Sequence, residues 1–315
     1  MFKNRAYVLE VYKEQSFSVA AKNLYISQPS LSASIKRIED KAGAPFFNRA
    51  TTPITLTEIG EQYVQCAHEI DKIEAGFQSF VHDRLNLIKG EVKIGGSSLF
   101  SSYILPPVVS AFNAQYPHIE LDIYEGSTKH LMSLLLDGEL DIVLDNSIIV
   151  NEYVFSQVYQ SEMLLLAVPK NLYYDEKTAL TVGDIQSGLH RAEDTPCAEL
   201  ESFSALPFIF LKQENDTGKR AKQLCKKHGF TPNVLFSLDQ QVTAYNITCT
   251  GMGVSFVSDT LIAHLHETPN VVYYKLSDAE IHRDLYFYVK SNRYLSTACK
   301  TFIESALKQE GEELK

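Results

Sequence analysis

The stretch SQPSLSASIKR places Ser27, Gln28, Pro29, Ser30, Ser32, Ala33, Lys36 and Arg37 close together in a pattern that suits recognition chemistry. Serine is a modest helix former but a good small hydrogen-bonding group, so a serine-rich helix start is suited to touching something polar. Ser27 can cap the helix by accepting a hydrogen bond from a first-turn amide. Pro29 is tolerated there because first-turn amides lack intrahelical partners. Leu31, Ile35 and Ile38 then fall on one stripe, spaced i, i+4, i+7. The opposite face carries Pro29, Ser30, Ser32, Ala33, Lys36 and Arg37. It is small, polar and cationic, which suits close approach to a phosphate backbone and to base edges. Gln28 has the amide needed to pair with adenine through two hydrogen bonds, and the helix N-terminus favours phosphate. An ordinary solvated helix face has the same composition, and these residues alone leave both readings open.

The flanking elements have to position that helix. Val8, Val11 and Tyr12 at i, i+3, i+4 predict an amphipathic helix over about 4–14. Ser18 is a cap candidate for a second helix over VAAKNL, whose small Ala20 and Ala21 let another helix pack closely. After the serine-rich helix, Phe46 and Phe47 can anchor a strand, RATTP makes a turn and ITLT alternates as a second short strand. A hairpin after a helix-turn-helix is a wing, with Arg49 and Thr51 near its tip. Arg49 there is available to phosphate or the minor groove, and equally suited to pairing with a carboxylate. Thr57 can cap a long helix, with Glu58 and Glu61 in its first turn where the helix dipole favours anions. Ile59, Tyr63, Cys66, Ile70, Ile73, Phe77 and Phe80 form a seam at near-heptad spacing along it. Such a seam needs a partner. A second copy of the chain is the simplest one, and packing onto the chain itself is the alternative.

The chain has 315 residues, which suggests two or three domains. A hydrophobic content of 45% and a charged content of 22% are ordinary for a soluble globular protein. The opening residues, MFKNRAYVLEVYKEQ, have no uninterrupted apolar run of the kind a signal peptide needs. No stretch approaches the ~18 apolar residues that span a bilayer; the most apolar one is broken by Asp137, Glu139 and Asp141. The five cysteines are scattered and form no CxxC pair, so reduced, mostly buried thiols in a cytoplasmic protein are expected. Net charge is −10, but its distribution is uneven. Residues 1–56 carry eight basic and four acidic side chains, a net of +4, which leaves −14 on the remainder. A basic end on an acidic body points to an anionic partner for that end.

From Ser16 to Glu61 the order of residues resembles the N-terminal winged helix-turn-helix of LysR-type transcriptional regulators. It runs Ser-Phe, Ala-Ala, the Ser-Gln-Pro helix start, Ser32, Ile35, Glu39, Gly43, Phe47, Arg49, and Thr57 before Gly60. The resemblance extends along nearly the whole chain. GEVKIGGSSLFSSYILPPVVSAFNAQYPHIELDIYEGSTKHLMSLLLDGELDIVL reads strand, helix, strand, helix, strand, as in the first lobe of that family's effector domain. GMGVSFVSD is similar to a segment late in the second lobe. Two departures stand out: the family often has Gly where Gln15 stands, and a longer polar or cationic residue where Ala33 stands. The second shifts the weight of base contact to Gln28, Ser32 and Lys36.

The effector half also reads from its own residues. EVKIGG is a strand ending in Gly95-Gly96, followed by Ser97, Ser98 and Leu99 at a helix start. LDIYEGST repeats the arrangement with Thr128, and DIVLDNS ends a third strand with Asp145 and Asn146. Strands that run through Gly, Ser or Thr into helix N-termini present free amides and hydroxyls, and open α/β sheets bind ligands there. Simple helix capping explains Ser97 and Ser98 as well. Asp145 would repel an acidic effector but could hold an ammonium or amine, so an amino acid or polyamine is admitted. The resemblance implies a cleft between two lobes, with Ser97, Ser98 and Thr128 on one wall and Leu211, Lys212, Gln213 and Val254 as candidates on the other.

Enzyme motifs are absent. GMG lacks dinucleotide-site spacing, NDTGKR is not a P-loop, HLHET lacks zinc-hydrolase spacing, and no GxSxG elbow occurs. His130, His190 and His228 stand alone as surface or packing residues. The expectation is an α/β chain with three parts: a winged helix-turn-helix over 1–58, a linker helix for dimerisation over 59–89, and a two-lobed effector domain over 90–315 resembling a periplasmic binding protein, its second lobe about 163–268. It would be a cytoplasmic, sequence-specific regulator of double-stranded DNA controlled by a small-molecule effector, with no cofactor, metal, membrane contact or enzymatic activity. Paired copies would set two recognition helices in successive major grooves. A tetramer is implied by the resemblance. A DNA-binding regulator without small-molecule control and a solute-binding protein are the alternatives.

Overall fold

The computed structural model describes residues 1–50, 53–84, 90–291 and 293–313. They divide into two units, Met1–Val81 and His82–Lys315.

In the first unit, helix α1 (Arg5–Glu14) buries Val8 and Val11. Helix α2 (Phe17–Asn23) turns Phe17, Ala20 and Ala21 into the same core. Its cap is Ser16, whose side chain accepts from the Val19 amide; Ser18, the expected cap, lies inside the helix. Between the two helices Gln15 adopts a left-handed backbone at φ 48°. A side chain with a Cβ pays roughly 1–2 kcal/mol to sit there, so this turn has the geometry of a glycine turn without the glycine. Helix α3 (Gln28–Ala42) is capped by Ser27, which accepts from the Ser30 amide, and ends at Gly43 with φ 81°. Strands β1 (Phe47–Asn48) and β2 (Thr55–Leu56) pair antiparallel as the wing. Thr57 caps helix α4 (Glu58–Arg84) by accepting from the Gly60 amide. Gly60 is required: a Cβ there would run into the backbone carbonyl of Phe46.

The expected seam on α4 divides between its two halves. Tyr63, with Val64 and Ala67, packs into the winged core and stacks on Phe46, ring centroids 4.4 Å apart. Arg5 ties α1 to α4 through Asp71 and Glu74, each at 2.6 Å. Further along, Ile73 is 70% exposed and Phe77 66%. The winged core therefore reaches beyond residue 58.

The second unit is built on one sheet in the order β4-β3-β5-β12-β6-β10-β8-β9, with β11 and β7 branching from β6. Strands β3 (Gly90–Gly96), β4 (Ile119–Glu125) and β5 (Ile142–Asp145) run parallel, with β3 in the middle. Helix α5 (Leu105–Gln115) follows β3 after a π-helical turn, Phe100–Ile104, and α6 (Thr128–Asp137) follows β4. Alternation along β5 sorts the two faces, as the two-residue strand period requires. Ile142 and Leu144 join the main core with Phe112 of α5, whereas Val143 packs with Leu131 and Leu135 of α6.

Strand β6 (Val154–Pro169) is the bridge between lobes. Its first part pairs with β12 (His282–Lys290), and its last residues pair with β10 and β11. After β7 (Ala179–Leu180) and the short α7 (Val182–Gln186), the second lobe repeats the plan of the first. Strand β8 (Pro207–Leu211) lies between β9 (Asn233–Leu238) and β10 (Val254–Ser258), all parallel. Helices α8 (Asp216–Lys227) and α9 (Gln241–Cys249) cover opposite faces. Phe208 and Phe210 share the main core with Leu224 of α8, while Ile209 and Leu211 face Ala244 of α9. Helix α10 (Asp259–Ala263) and β11 (Val271–Tyr274) complete the lobe, which thus continues past residue 268. Helix α11 (Thr297–Glu313) returns to the first lobe, its Phe302 packing edge-on to Phe112 at 5.2 Å.

Candidate nucleic-acid interface and effector cleft

On α3 the apolar stripe and the polar face separate as the spacing requires. Leu31, Ile35 and Ile38 are buried, while Gln28, Pro29, Ser30, Ala33, Lys36 and Arg37 are exposed and Ser32 is half-buried. Ser27 is also exposed, and the α3 N-terminus is uncovered within its unit.

Arg49 sits on this face. Its Nη2 donates to Oε2 of Glu39 at 2.9 Å, its Nη1 lies 3.3 Å from Oγ of Ser32, and its guanidinium carbon is 5.0 Å from the Phe17 ring centroid. Glu39 is buried, and its other oxygen accepts the Phe46 amide at 2.8 Å. The carboxylate pairing that sequence left open is therefore present. Arg49 remains 43% exposed. Thr51 lies outside the described residues. One residue went unnoticed in sequence: Tyr25, in the turn before α3, has φ 54° and is 95% exposed. It is an aromatic side chain standing in solvent on a left-handed backbone just before the N-terminus of α3. Its signal was a large aromatic inside an otherwise polar turn.

In the second unit a cavity of about 110 Å³ lies between the lobes. The first lobe contributes Ser97, Leu99, Ser127, Thr128, Asp145 and Asn146. The second contributes Lys212, Asn215, Asp216, Thr217 and Gln241, and Arg283 lines it from β12. Most of these residues follow directly on strand C-termini, next to helix N-termini, where a 2-1-3 strand order opens a crevice. Gln213 lines a neighbouring open depression of about 720 Å³ that shares Thr128, Asn215 and Asp216 with the cavity. Ser98 is half-buried and lines neither of the two. Leu211 and Val254 face the interior of the second lobe, so the structure does not bring them to the cavity.

Electrostatics in the cleft are unusual. Asp145 is buried, accepting from Thr128 Oγ1 and the Ser147 amide, both at 2.7 Å. Burial pushes its pKa up, and the charge of Asp216 adds to that. Arg283 is also buried; Nε donates to Glu162 at 2.7 Å, and Nη1 to Asp216 and Thr217, both at 2.9 Å. Asn146 donates to the same Glu162 oxygen at 2.9 Å. Among the described residues, Nη2 of Arg283 and Oε2 of Glu162 have no partner. Arg283, Glu162, Asp216 and Thr217 carried no motif, because β6, the start of α8 and β12, far apart in sequence, assemble them.

A family model described as "Bacterial regulatory helix-turn-helix protein, lysR family" matches residues 2–61, and one described as "LysR substrate binding domain" matches residues 86–310. The chain belongs to the LysR family. This LysR-type chain is a DNA-binding transcriptional regulator with an effector-binding domain. It is 30% identical to the uncharacterized HTH-type transcriptional regulator YcgK of Bacillus subtilis, over 95% of this chain and 91% of that one. It is 28% identical to a probable RuBisCO transcriptional regulator of Cyanidioschyzon merolae, over 93% of each. A full-length OxyR point variant of Pseudomonas aeruginosa has the same fold, with a TM-score of 0.71 at 19% identity over 97% of this chain and 94% of that one. So does CbnR in complex with its target DNA, with a TM-score of 0.65 at 16% identity over 98% and 99%. In this LysR-type regulator no described helix is long and apolar enough to cross a membrane. Its five cysteines are free thiols, Cys225 and Cys299 buried and Cys66, Cys197 and Cys249 half-buried. His190 packs inside with Nε2 2.9 Å from Asp259, His228 lies between carboxylates, and His130 is exposed.

Proposed function

We propose that the regulator reads DNA with the exposed face of α3, and that a small molecule held between the lobes of its effector domain changes that binding. The observation that carries the reading is the division of α3 into a buried Leu31-Ile35-Ile38 stripe and an exposed small, cationic face. Gln28, Ser32 and Lys36 face base edges. Ser27, Ser30, Arg37 and the helix N-terminus hold phosphates, and Pro29 and Ala33 keep the surface low enough for close approach. Arg49 braces the wing against α3 and offers its exposed edge to the backbone. The chain acts as a cytoplasmic homo-oligomer without catalytic activity, its copies paired through the exposed Ile73–Phe77 side of α4. The effector acts by binding one lobe arrangement more tightly than another, because only differential affinity shifts such an equilibrium.

The experiment is operator binding across a salt series, comparing the native protein with Lys36→Ala and Arg37→Ala. Arg37→Ala, which removes a phosphate contact, should lower the slope of log affinity against log salt by roughly 0.9, and Lys36→Ala should weaken operator affinity. Unchanged affinity and slope in both variants would remove α3 from the interface.

A further inference from the structure

Resting on the effector-cleft reading, we infer that the ligand between the lobes is a small zwitterion of the amino-acid type, carrying both an ammonium and a carboxylate. Two independent features of the cavity wall point to it.

The first is a buried carboxylate without a counter-cation. Asp216 pairs with Arg220 at 2.7 Å and with Arg283 at 2.9 Å, and Glu162 pairs with Arg283 at 2.7 Å. Two guanidiniums thus meet two carboxylates. Asp145 is left over: its partners are a hydroxyl and an amide, and no Lys, Arg or His among the described residues forms an ion pair with it. It is 1% exposed. A buried charge without a counter-charge is costly, and a ligand that brings an ammonium recovers that cost. Asp145 and Asp216 line the cavity from opposite lobes, so a cation between them would also draw the lobes together.

The second is an unused donor. Arg283 lines the same cavity, is 6% exposed, and has Nη2 without a partner among the described residues; Oε2 of its ion-pair partner Glu162 is likewise without one, but Glu162 is not among the residues that line the cavity. A buried donor of that kind calls for an acceptor, and a guanidinium edge suits a carboxylate oxygen. A simple amine would leave this donor unsatisfied. A simple carboxylic acid would answer Arg283 but leave Asp145 uncompensated, and a dicarboxylate would add charge to a wall already in excess. The size agrees: about 110 Å³ is smaller than the cavity of about 150 Å³ that holds benzene in an engineered protein, so the space suits a small molecule.

The test is calorimetric titration of the full-length protein at neutral pH. The probes are the twenty common L-amino acids, each beside its carboxylic acid lacking the amino group and its amine lacking the carboxyl. At least one amino acid should bind, and both of its halves should bind at least tenfold more weakly. Asp145→Asn should weaken that amino acid at least tenfold without lowering the melting temperature. The inference is overturned if no amino acid binds, if the deaminated acid or the decarboxylated amine binds as tightly as the parent, or if Asp145→Asn binds it unchanged. Capture of specific DNA by the same preparation separates the two levels. Specific capture with no amino-acid binding overturns the zwitterion alone. Amino-acid binding without any specific capture supports the zwitterion and overturns the regulator reading of the cleft.

Discussion

The guanidinium of Arg49 reaches back from the wing to the buried carboxylate of Glu39, with Nη2 2.9 Å from Oε2. Glu39 uses its other oxygen to accept the Phe46 amide, where the chain enters the wing. One side chain near the end of α3 therefore sets the position of both the hairpin and its arginine. Replacing Glu39 by Gln puts an amide donor against the guanidinium. Hydrogen bonds to charged groups contribute about 1.5–3 kcal/mol, so Glu39→Gln should destabilise the winged unit by that order in urea denaturation and weaken operator binding with it. Full stability in the variant would mean that the brace contributes nothing.

Gln15 is a second point of strain. A Gln15→Gly substitution removes the Cβ from the left-handed region at φ 48°. Relief of roughly 1–2 kcal/mol is partly offset by the greater freedom of glycine in the unfolded chain. The variant should gain about 0.5–1 kcal/mol in denaturant unfolding. A loss of stability would show that the glutamine makes a compensating contact.

The exposed apolar side of α4 predicts self-association. Ile73→Asp or Phe77→Asp places a charge where a partner helix would pack. Each should shift sedimentation toward the monomer at micromolar concentration, with little change in helix content. An unchanged oligomer would place the interface elsewhere.

His228 predicts a pH dependence. Burial opposes its charged form, but hydrogen bonds to Glu201 and Asp278 outweigh that and hold its pKa above the ordinary value. A raised folded pKa contributes stability that is complete below the unfolded value of about 6.5 and is lost as pH rises through the folded value. Unfolding free energy measured from about pH 6 to pH 9 should carry this decline, and His228→Gln should flatten it. Identical pH profiles in the two proteins would show that the imidazole is uncoupled from folding.

Asp145 predicts a gain in stability of the protein without ligand. Burial holds its pKa above the usual carboxylate range, so its ionised form is disfavoured in the fold. In Asp145→Asn the side-chain oxygen can still accept the Ser147 amide, and the Thr128 hydroxyl can rotate to accept the new amide. The melting temperature at neutral pH should rise by a few degrees, since about 1 kcal/mol moves it by ~2–4 °C in a domain of this size. A fall would mean that the charge itself holds the site together.

Local pattern carried the winged unit. The stripe of Leu31, Ile35 and Ile38, the Ser27 cap and the Thr57 cap all follow from short-range spacing, and the structure places them as that spacing requires. Ser18 and Ser16 show the limit. Both can cap a helix, and the choice fell to Ser16 because Phe17 has to begin the helix to reach the core. Arg49 could not be settled from sequence, because its pairing depends on how the wing folds back onto Glu39 near the end of α3. In the effector domain, residues directly after strand ends were legible: Ser97, Thr128, Asp145, Asn146 and Lys212 all reach the cavity. Leu211 was misplaced by alternation, since neighbouring strand residues face opposite sides of the sheet, and Val254 because it begins β10, opposite Phe208, away from the strand C-termini at the cavity. Arg283 and Glu162 stayed hidden because they meet only when β6 and β12 pair, with Arg283 opposite Glu162 in the register.

The central claim is sequence-specific DNA recognition by α3. The most direct measurement is selection of genomic DNA fragments by the purified protein, followed by sequencing of the bound sites, with a Lys36→Ala/Arg37→Ala double variant alongside. The account predicts a two-fold symmetric motif with half-sites about one helical turn or a multiple apart, lost in the double variant. No enrichment over random fragments, or the same motif captured by the double variant, would contradict it.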